Sequence, residues 1–181
     1  MRIAVLQMCS GLDPADNALT LAAAAAHAKA GGAVMLFTPE MTGLLDRDRA
    51  RAQLQIKRET EDHVLAAARE AARANGLWIA LGSLALHSER DDARLVNRSL
   101  LIAPDGKVRA RYDKMHLFDV DLPTGERWRE SAAYAPGDTA IVADGPDDWR
   151  LGLSVCYDLR FPALYQALSG AGATILAIPA A

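Results

Sequence analysis

The sequence is poor in cysteine, lacks a run of basic residues and has no long apolar segment, and each absence excludes a class of protein. Its two cysteines are too few for a disulfide framework, and in an unexported protein they stay reduced. The most basic stretch, residues 47–51, contains Asp48 and follows Asp46, so it predicts a solvated helix face. We therefore expect no nucleic-acid partner.

Membrane segments, metal sites and nucleotide-binding loops are also missing. The most apolar stretch, residues 19–30, contains His27 and Lys29 and is too short to cross a bilayer, and no signal peptide is visible. The histidines have no metal-ligand spacing, and no phosphate-binding loop is present. The sequence thus predicts a cytoplasmic protein with no metal, no cofactor and no membrane partner.

Short strand-like runs alternate with helical segments, which is the pattern of an α/β protein. Strands are predicted over residues 3–8, 34–38, 77–83, 139–142, 150–155 and 174–178. Helices are predicted over residues 14–30, most of 46–73, and 162–168. A hairpin over residues 95–112 argues against a purely parallel sheet, and residues 113–137 read as a long polar loop. We predict one domain over residues 1–181.

Cys156 stands where a predicted strand turns toward a helix. A residue at such a turn points out of the carboxyl end of the sheet, where α/β proteins place their sites. Helix N-terminal amides are expected to favour its thiolate, and the backbone N–H of Tyr157 is placed to contribute to an oxyanion hole. The alternative interpretation is a small cysteine buried in the core.

Two charged residues follow other predicted strands. Glu40 has apolar or rigid neighbours in Phe37-Thr38-Pro39-Glu40-Met41, and burial would suit it to act as a general base. Lys114 lies at the start of the long polar loop, and near a thiolate it would stabilise an anionic tetrahedral intermediate. Taken singly, a solvated acid and a surface lysine are the simpler interpretations.

Together these segments resemble the nitrilase superfamily. The motifs Phe-Thr-Pro-Glu at residues 37–40, Tyr-x-Lys-x-His-Leu-Phe at 112–118 and Gly-Leu-Ser-Val-Cys-Tyr-Asp-x-Arg-Phe-Pro at 152–162 occur in the family's order. The chain is most similar to the omega-amidase and Nit-like branch, whose loop also reads His-Leu-Phe-Asp-x-Asp, here residues 116–121. The resemblance implies an αββα sandwich with mixed sheets and helices on its outer faces.

The resemblance also implies a reaction. Glu40 would be the general base, Cys156 the nucleophile and Lys114 the oxyanion stabiliser in the hydrolysis of a small linear amide through a thioester. A second glutamate beside the lysine is common in the family, and Glu130 occupies the matching position. No cofactor is implied.

Arg160 allows two interpretations. It would pair with Asp158 near the start of the helix, or it would hold a substrate carboxylate, as in relatives that act on amino-acid derivatives. An omega-amide of a dicarboxylate would suit the second role.

Three other outcomes stay open. The same scaffold would support acyl transfer to an amine, or hydrolysis of a nitrile. The chain also stops at residues 178–181, within a motif that relatives continue, so an inactive truncated fragment without the last strands is the third alternative. In the full-length form we expect a homodimer or a larger homo-oligomer.

Overall fold

A mixed five-stranded sheet forms the centre of the protein, which the computed structural model describes for residues 1–88 and 94–181. Its strands, in sheet order, are β1 (Ile3–Val5), β2 (Met35–Phe37), β3 (Trp78–His87), β4 (Leu95–Ile102) and β5 (Val108–Asp113). The first three strands are parallel, whereas β4 pairs antiparallel with both β3 and β5. The predicted hairpin is therefore confirmed.

Two smaller sheets follow in the second half of the chain. A ribbon of β6 (Asp119–Asp121) and β7 (Arg127–Arg129) lies within the segment predicted as a polar loop. A three-stranded sheet contains β8 (Val142–Asp144), β9 (Arg150–Leu153) and β10 (Ile175–Ala177), in the order β10–β9–β8. In that sheet β9 and β10 are parallel, and β8 pairs antiparallel with β9.

The described residues form four α-helices, which are α1 (Pro14–Ala30), α2 (Arg49–Gln55), α3 (His63–Asn75) and α4 (Pro162–Gly170). Three short 3-10 turns cover Glu59–Glu61, Glu130–Ala132 and Cys156–Arg160. Helix α1 begins as predicted, since the Asp13 carboxylate accepts the Ala15 N–H at 2.8 Å.

The prediction of one mostly helical segment over residues 46–73 is wrong in its middle. The chain leaves the helix at Ile56, which is buried against Leu44 and Leu95. The next residue, Lys57, accepts a backbone hydrogen bond from His87 at 3.0 Å. Pairing with β3 and burial of an apolar side chain therefore override helix propensity here.

Helices and sheets stack in four layers. Helices α1 and α3 pack on one face of the large sheet through a core cluster that includes Leu21, Ala68 and Leu81. On its opposite face, Met35, Leu101 and Tyr112 belong to the same cluster as residues of the three-stranded sheet. Helix α4 lies against β9. The predicted αββα sandwich with mixed sheets is confirmed.

None of the helices within residues 1–88 and 94–181 is long and apolar enough to span a bilayer. The organisation as one domain over residues 1–181 stays a prediction.

Candidate active site

Glu40 lies in a tight loop after β2 that is fastened to an irregularity in β3. The pairing of β3 with β4 shifts register between Leu81 and Leu84. Within that interval the Gly82 N–H donates to Thr38 Oγ1 at 2.9 Å. A Cβ on Gly82 would lie 2.2 Å from the carbonyl oxygens of both Thr38 and Pro39, so only glycine allows this approach. The loop leaves Glu40 only 6% exposed.

Lys114 directly follows β5 and points into the protein. Its backbone N–H donates to the Asn97 carbonyl at 2.9 Å, and the residue is only 2% exposed. Its Nζ lies 3.2 Å from Glu40 Oε1 and 2.9 Å from Glu130 Oε2. Burial, the largest single influence, works to lower the pKa of Lys114, but the two carboxylates outweigh it and the pKa is raised. The side chain is therefore an ammonium held between two carboxylates.

Glu130 reaches this position from the 3-10 turn after β7. Its Oε2 accepts the Phe118 N–H at 2.6 Å in addition to the bond from Lys114. This carboxylate thus connects the start and the end of the β6–β7 ribbon to the lysine. The structure places Glu130 beside Lys114, as the resemblance implied.

Cys156 is half-buried at the first position of its 3-10 turn, with φ of +49°. A positive φ is uncommon outside glycine, and here it turns the chain sharply at the end of the β9 segment. The Cys156 N–H donates to the Pro179 carbonyl at 2.8 Å, which ties the turn to the segment after β10.

The expectation that helix amides favour the Cys156 thiolate is wrong. Burial raises the pKa of the Cys156 thiol to about 11, and the charge of Glu40 and a hydrogen bond to it add to this effect. Lys114 opposes the shift without cancelling it. The α-helix begins only at Pro162, six residues after Cys156. At neutral pH the site therefore holds a protonated thiol next to a carboxylate.

Asp158 is fully buried and holds the nucleophile turn against the lysine segment. Its Oδ2 accepts the Tyr112 hydroxyl at 2.7 Å and the Val155 N–H at 2.8 Å. Its Oδ1 accepts the His116 N–H at 3.0 Å and lies 2.7 Å from His116 Nδ1. These contacts connect β5, the residues after Lys114 and the turn at Cys156.

The interpretation of Arg160 as a partner of Asp158 is wrong, because these four contacts occupy the Asp158 carboxylate. Arg160 is exposed, and it makes no ion pair within the described part of the chain. It is therefore available to solvent and to ligands.

Aromatic side chains lie beside the nucleophile turn. The His116 ring stacks on Phe161 with centroids 3.7 Å apart. The ring of Tyr157, the residue after Cys156, meets Phe118 edge-on at 5.0 Å and Phe161 at 5.4 Å. The loop that carries Lys114 and the turn that carries Cys156 are thus packed together.

Two contributions to the site were missed in the sequence. Asn97 on β4 is 1% exposed, and its Nδ2 lies 2.9 Å from Glu40 Oε1. Asparagine is depleted in β-strands, so its occurrence within a predicted strand was a signal in the sequence that this residue has a role in the site. The Ala181 N–H donates to Glu40 Oε2 at 3.1 Å, and Pro179 contributes its carbonyl. Backbone contributions such as these leave no trace in residue types.

Among residues 1–88 and 94–181, no group of three or more His, Cys, Asp or Glu side chains is arranged to hold a metal ion. The chemically competent groups brought together here are a thiol, an ammonium and two carboxylates.

Comparisons with known proteins identify relatives of this chain. Residues 2–181 match the family model described as carbon-nitrogen hydrolase. The deaminated glutathione amidase of Yersinia enterocolitica is 39% identical over 180 residues, which cover 99% of this chain and 62% of that protein. The chain thus spans less than two thirds of the length of this relative.

Two solved structures are similar throughout the chain. The NitFhit protein of C. elegans superposes with a TM-score of 0.87 at 34% identity, covering 99% of this chain and 43% of that one. A glutamate variant of an amidase from Nesterenkonia sp. AN1 superposes with a TM-score of 0.82 at 30% identity, covering 99% of this chain and 66% of that one. That structure shows the Michael addition of acrylamide at the active-site cysteine.

Proposed function

The chain belongs to the carbon–nitrogen hydrolase family, and from this premise we propose that it is an amidase that hydrolyses a small linear amide through a thioester on Cys156. The observation that carries the proposal is the convergence of three distant residues. Lys114 Nζ lies 3.2 Å from Glu40 Oε1, and the charge of the same carboxylate raises the pKa of the Cys156 thiol.

The protonation state of the site determines the first step. With a thiol pKa of about 11, roughly one cysteine in ten thousand is ionised at pH 7, so a base must act during the attack. Glu40 accepts the thiol proton while the sulfur forms a bond to the carbonyl carbon. The electron pair of the carbonyl moves onto its oxygen. The Lys114 ammonium and the Tyr157 N–H stabilise that oxyanion.

Collapse of this intermediate releases the amine. Glu40 returns its proton to the departing nitrogen, the carbon–nitrogen bond breaks, and ammonia leaves a thioester on Cys156. Water then donates a proton to Glu40 and attacks the thioester carbon. The carbon–sulfur bond breaks, the acid is released, and the proton returns to the sulfur.

Glu130 has a supporting role in this scheme. Together with Glu40 it keeps Lys114 charged, and its bond to the Phe118 N–H fixes the loop that carries the lysine. An oxyanion donor that is already positioned and charged needs no reorganisation during the reaction.

The substrate class follows from Arg160, which is exposed and lies four residues after the nucleophile. A planar guanidinium there is suited to a carboxylate, so we propose an omega-amide of a dicarboxylate as substrate. The relationship to the deaminated glutathione amidase of Yersinia enterocolitica supports an amide substrate. The acrylamide adduct in the Nesterenkonia amidase supports a reactive cysteine in a protein of this fold.

The test is release of ammonia from monoamides of dicarboxylic acids and from neutral amides, with the wild-type protein and Cys156→Ala. We expect turnover by the wild type in water alone and none by the variant, while the exposed-cysteine variant Cys9→Ala stays active. Product formation only with an added amine would identify an acyltransferase, and turnover only of nitriles would identify a nitrilase. Inactivity on every substrate would reject the proposal that the protein is an enzyme.

We also propose a cytoplasmic location and a homo-oligomeric state for the protein.

A further inference from the structure

Asn97 contacts both carboxylates of the site, and the reaction described above gives it no role. Its Nδ2 lies 2.9 Å from Glu40 Oε1 and 3.4 Å from Glu130 Oε1. Both of these oxygens lie 3.2 Å from Lys114 Nζ. The amide and the ammonium therefore contact the same two oxygens.

The other end of the amide is unpartnered. Asn97 Oδ1 is buried and, within the described residues, accepts no hydrogen bond. A buried carbonyl oxygen that accepts no hydrogen bond lowers the stability of the folded protein, so its presence requires an explanation. Exchanging the amide nitrogen and oxygen would aim Oδ1 at two carboxylates and remove a donor from each. The orphaned carbonyl is therefore the consequence of directing both N–H groups at Glu40 and Glu130.

Charge explains why a neutral donor is useful here. Two carboxylates share one ammonium, so the group carries an excess negative charge when the thiol is protonated. Cys156 and Tyr134 also face this group. The pKa of Tyr134 is raised to about 12, mainly by burial and then by Glu130 and Glu40, so it is a neutral phenol at working pH. An amide adds donors without adding a charge of either sign.

We propose that Asn97 is a positioning residue that supplies amide N–H donors to the Glu40 and Glu130 carboxylates beside Lys114 and orients Glu40 toward the thiol of Cys156. The inference rests on the proposed function, because it assigns Asn97 to the base of that reaction. The backbone of Asn97 assists, since its carbonyl accepts the Lys114 N–H at 2.9 Å.

The test compares Asn97→Leu and Asn97→Asp with the wild type in the pH dependence of kcat/KM for ammonia release. Asn97→Leu removes the N–H donors, and this loss favours protonation of Glu40. Asn97→Asp also adds a carboxylate beside Glu40, which favours its protonation still more. The acidic limb of the profile is expected to move to higher pH by at least about one unit, with the larger shift in Asn97→Asp. KM at the pH optimum is expected to change less than kcat.

Ser99→Ala is the matched control, because Ser99 is a buried polar residue two positions further along the same face of β4. Within the described residues, its hydroxyl bonds only to the Leu81 carbonyl. It is expected to leave the acidic limb in place. If kcat falls in both Asn97 variants but the acidic limb of the pH profile stays at the same pH, the proposal is overturned and Asn97 is a purely structural residue. If Asn97→Asp does not fold, Asn97→Ser decides by the same shift.

A second readout separates this inference from the proposed function. Carboxyl carbon NMR of glutamate-labelled protein, with signals assigned by Glu40→Gln and Glu130→Gln, follows both carboxylates without substrate. Both are expected to protonate at higher pH in Asn97→Leu than in the wild type. If the wild type releases no ammonia, the proposed function fails, and this titration still confirms or rejects the role of Asn97.

Discussion

Replacing Glu40 by glutamine should make Cys156 more reactive toward an alkylating agent while it lowers turnover by orders of magnitude. The substitution preserves the shape of the side chain but removes its charge and its ability to take a proton. Glu40 raises the pKa of the thiol, whereas the proposed reaction needs Glu40 as a base. One change is therefore expected to move two observables in opposite directions.

The magnitude follows from the causes of the thiol shift. The pKa of Cys156 rises from its ordinary value of 9.0 to about 11, mainly by burial and then through Glu40, against the opposing charge of Lys114. In Glu40→Gln the burial and the lysine remain. We expect the titration midpoint to fall by about one pH unit, which raises the thiolate fraction at pH 8 about tenfold and the labelling rate about threefold, since a less basic thiolate is less nucleophilic. Turnover is expected to fall by a factor of about 10²–10⁴.

The assay is iodoacetamide labelling between about pH 6 and pH 10, with Cys156 and the exposed Cys9 quantified separately by peptide mass spectrometry. Cys9 reports the intrinsic rate in the same sample. The matched variant Glu61→Gln, at an exposed position before α3, should change neither rate. Unchanged or slower labelling of Cys156 in Glu40→Gln would refute the electrostatic reasoning, and retained turnover would remove Glu40 from the role of base.

Three further predictions concern the supports of the site. Gly82→Ala should lower kcat at least about a hundredfold and reduce Tm, because the Cβ of the new alanine would lie 2.2 Å from two carbonyl oxygens of the Glu40 loop. Gly170→Ala is the control and should change neither kcat nor Tm, because a Cβ at Gly170 would have no atom within 4 Å. Asp158→Asn should lower the free energy of unfolding by about 2–3 kcal/mol in urea titrations, since it weakens charge-assisted hydrogen bonds to a buried carboxylate; an unchanged midpoint would contradict this. Arg160→Ala should raise KM for monoamides of dicarboxylic acids at least about tenfold more than KM for neutral amides, and an equal effect on both would reject the carboxylate contact.

The sequence was most informative where a residue stands at the end of a strand. Glu40 and Cys156 were each expected to carry chemistry just past the end of a predicted strand, and the structure brings them together with Lys114 although β2 and β9 belong to different sheets. The alternation of elements predicted an α/β protein, and the αββα architecture followed from the resemblance of the motifs to the nitrilase superfamily. These features depend on local pattern, which a sequence displays directly.

The errors have tertiary causes. The helix that was predicted to continue through residue 56 ends just before it, because the Ile56 side chain is buried and Lys57 pairs with β3. The thiolate predicted at Cys156 is not formed, because burial and the charge of Glu40 raise the pKa of the thiol and the α-helix begins only at Pro162. Asn97 was overlooked because its importance lies in two carboxylates that are distant in sequence. None of these effects is encoded within a window of neighbouring residues.

A trapped covalent intermediate would test the central claim most directly. The wild-type protein would be mixed with a turned-over amide, quenched in acid within milliseconds and digested for peptide mass spectrometry. We predict that the mass of the acyl group appears on the peptide that contains Cys156, not on the peptide with Cys9, and disappears after treatment with hydroxylamine. Steady ammonia release with no acyl group on Cys156 at any quench time, or undiminished release by Cys156→Ala, would contradict the account.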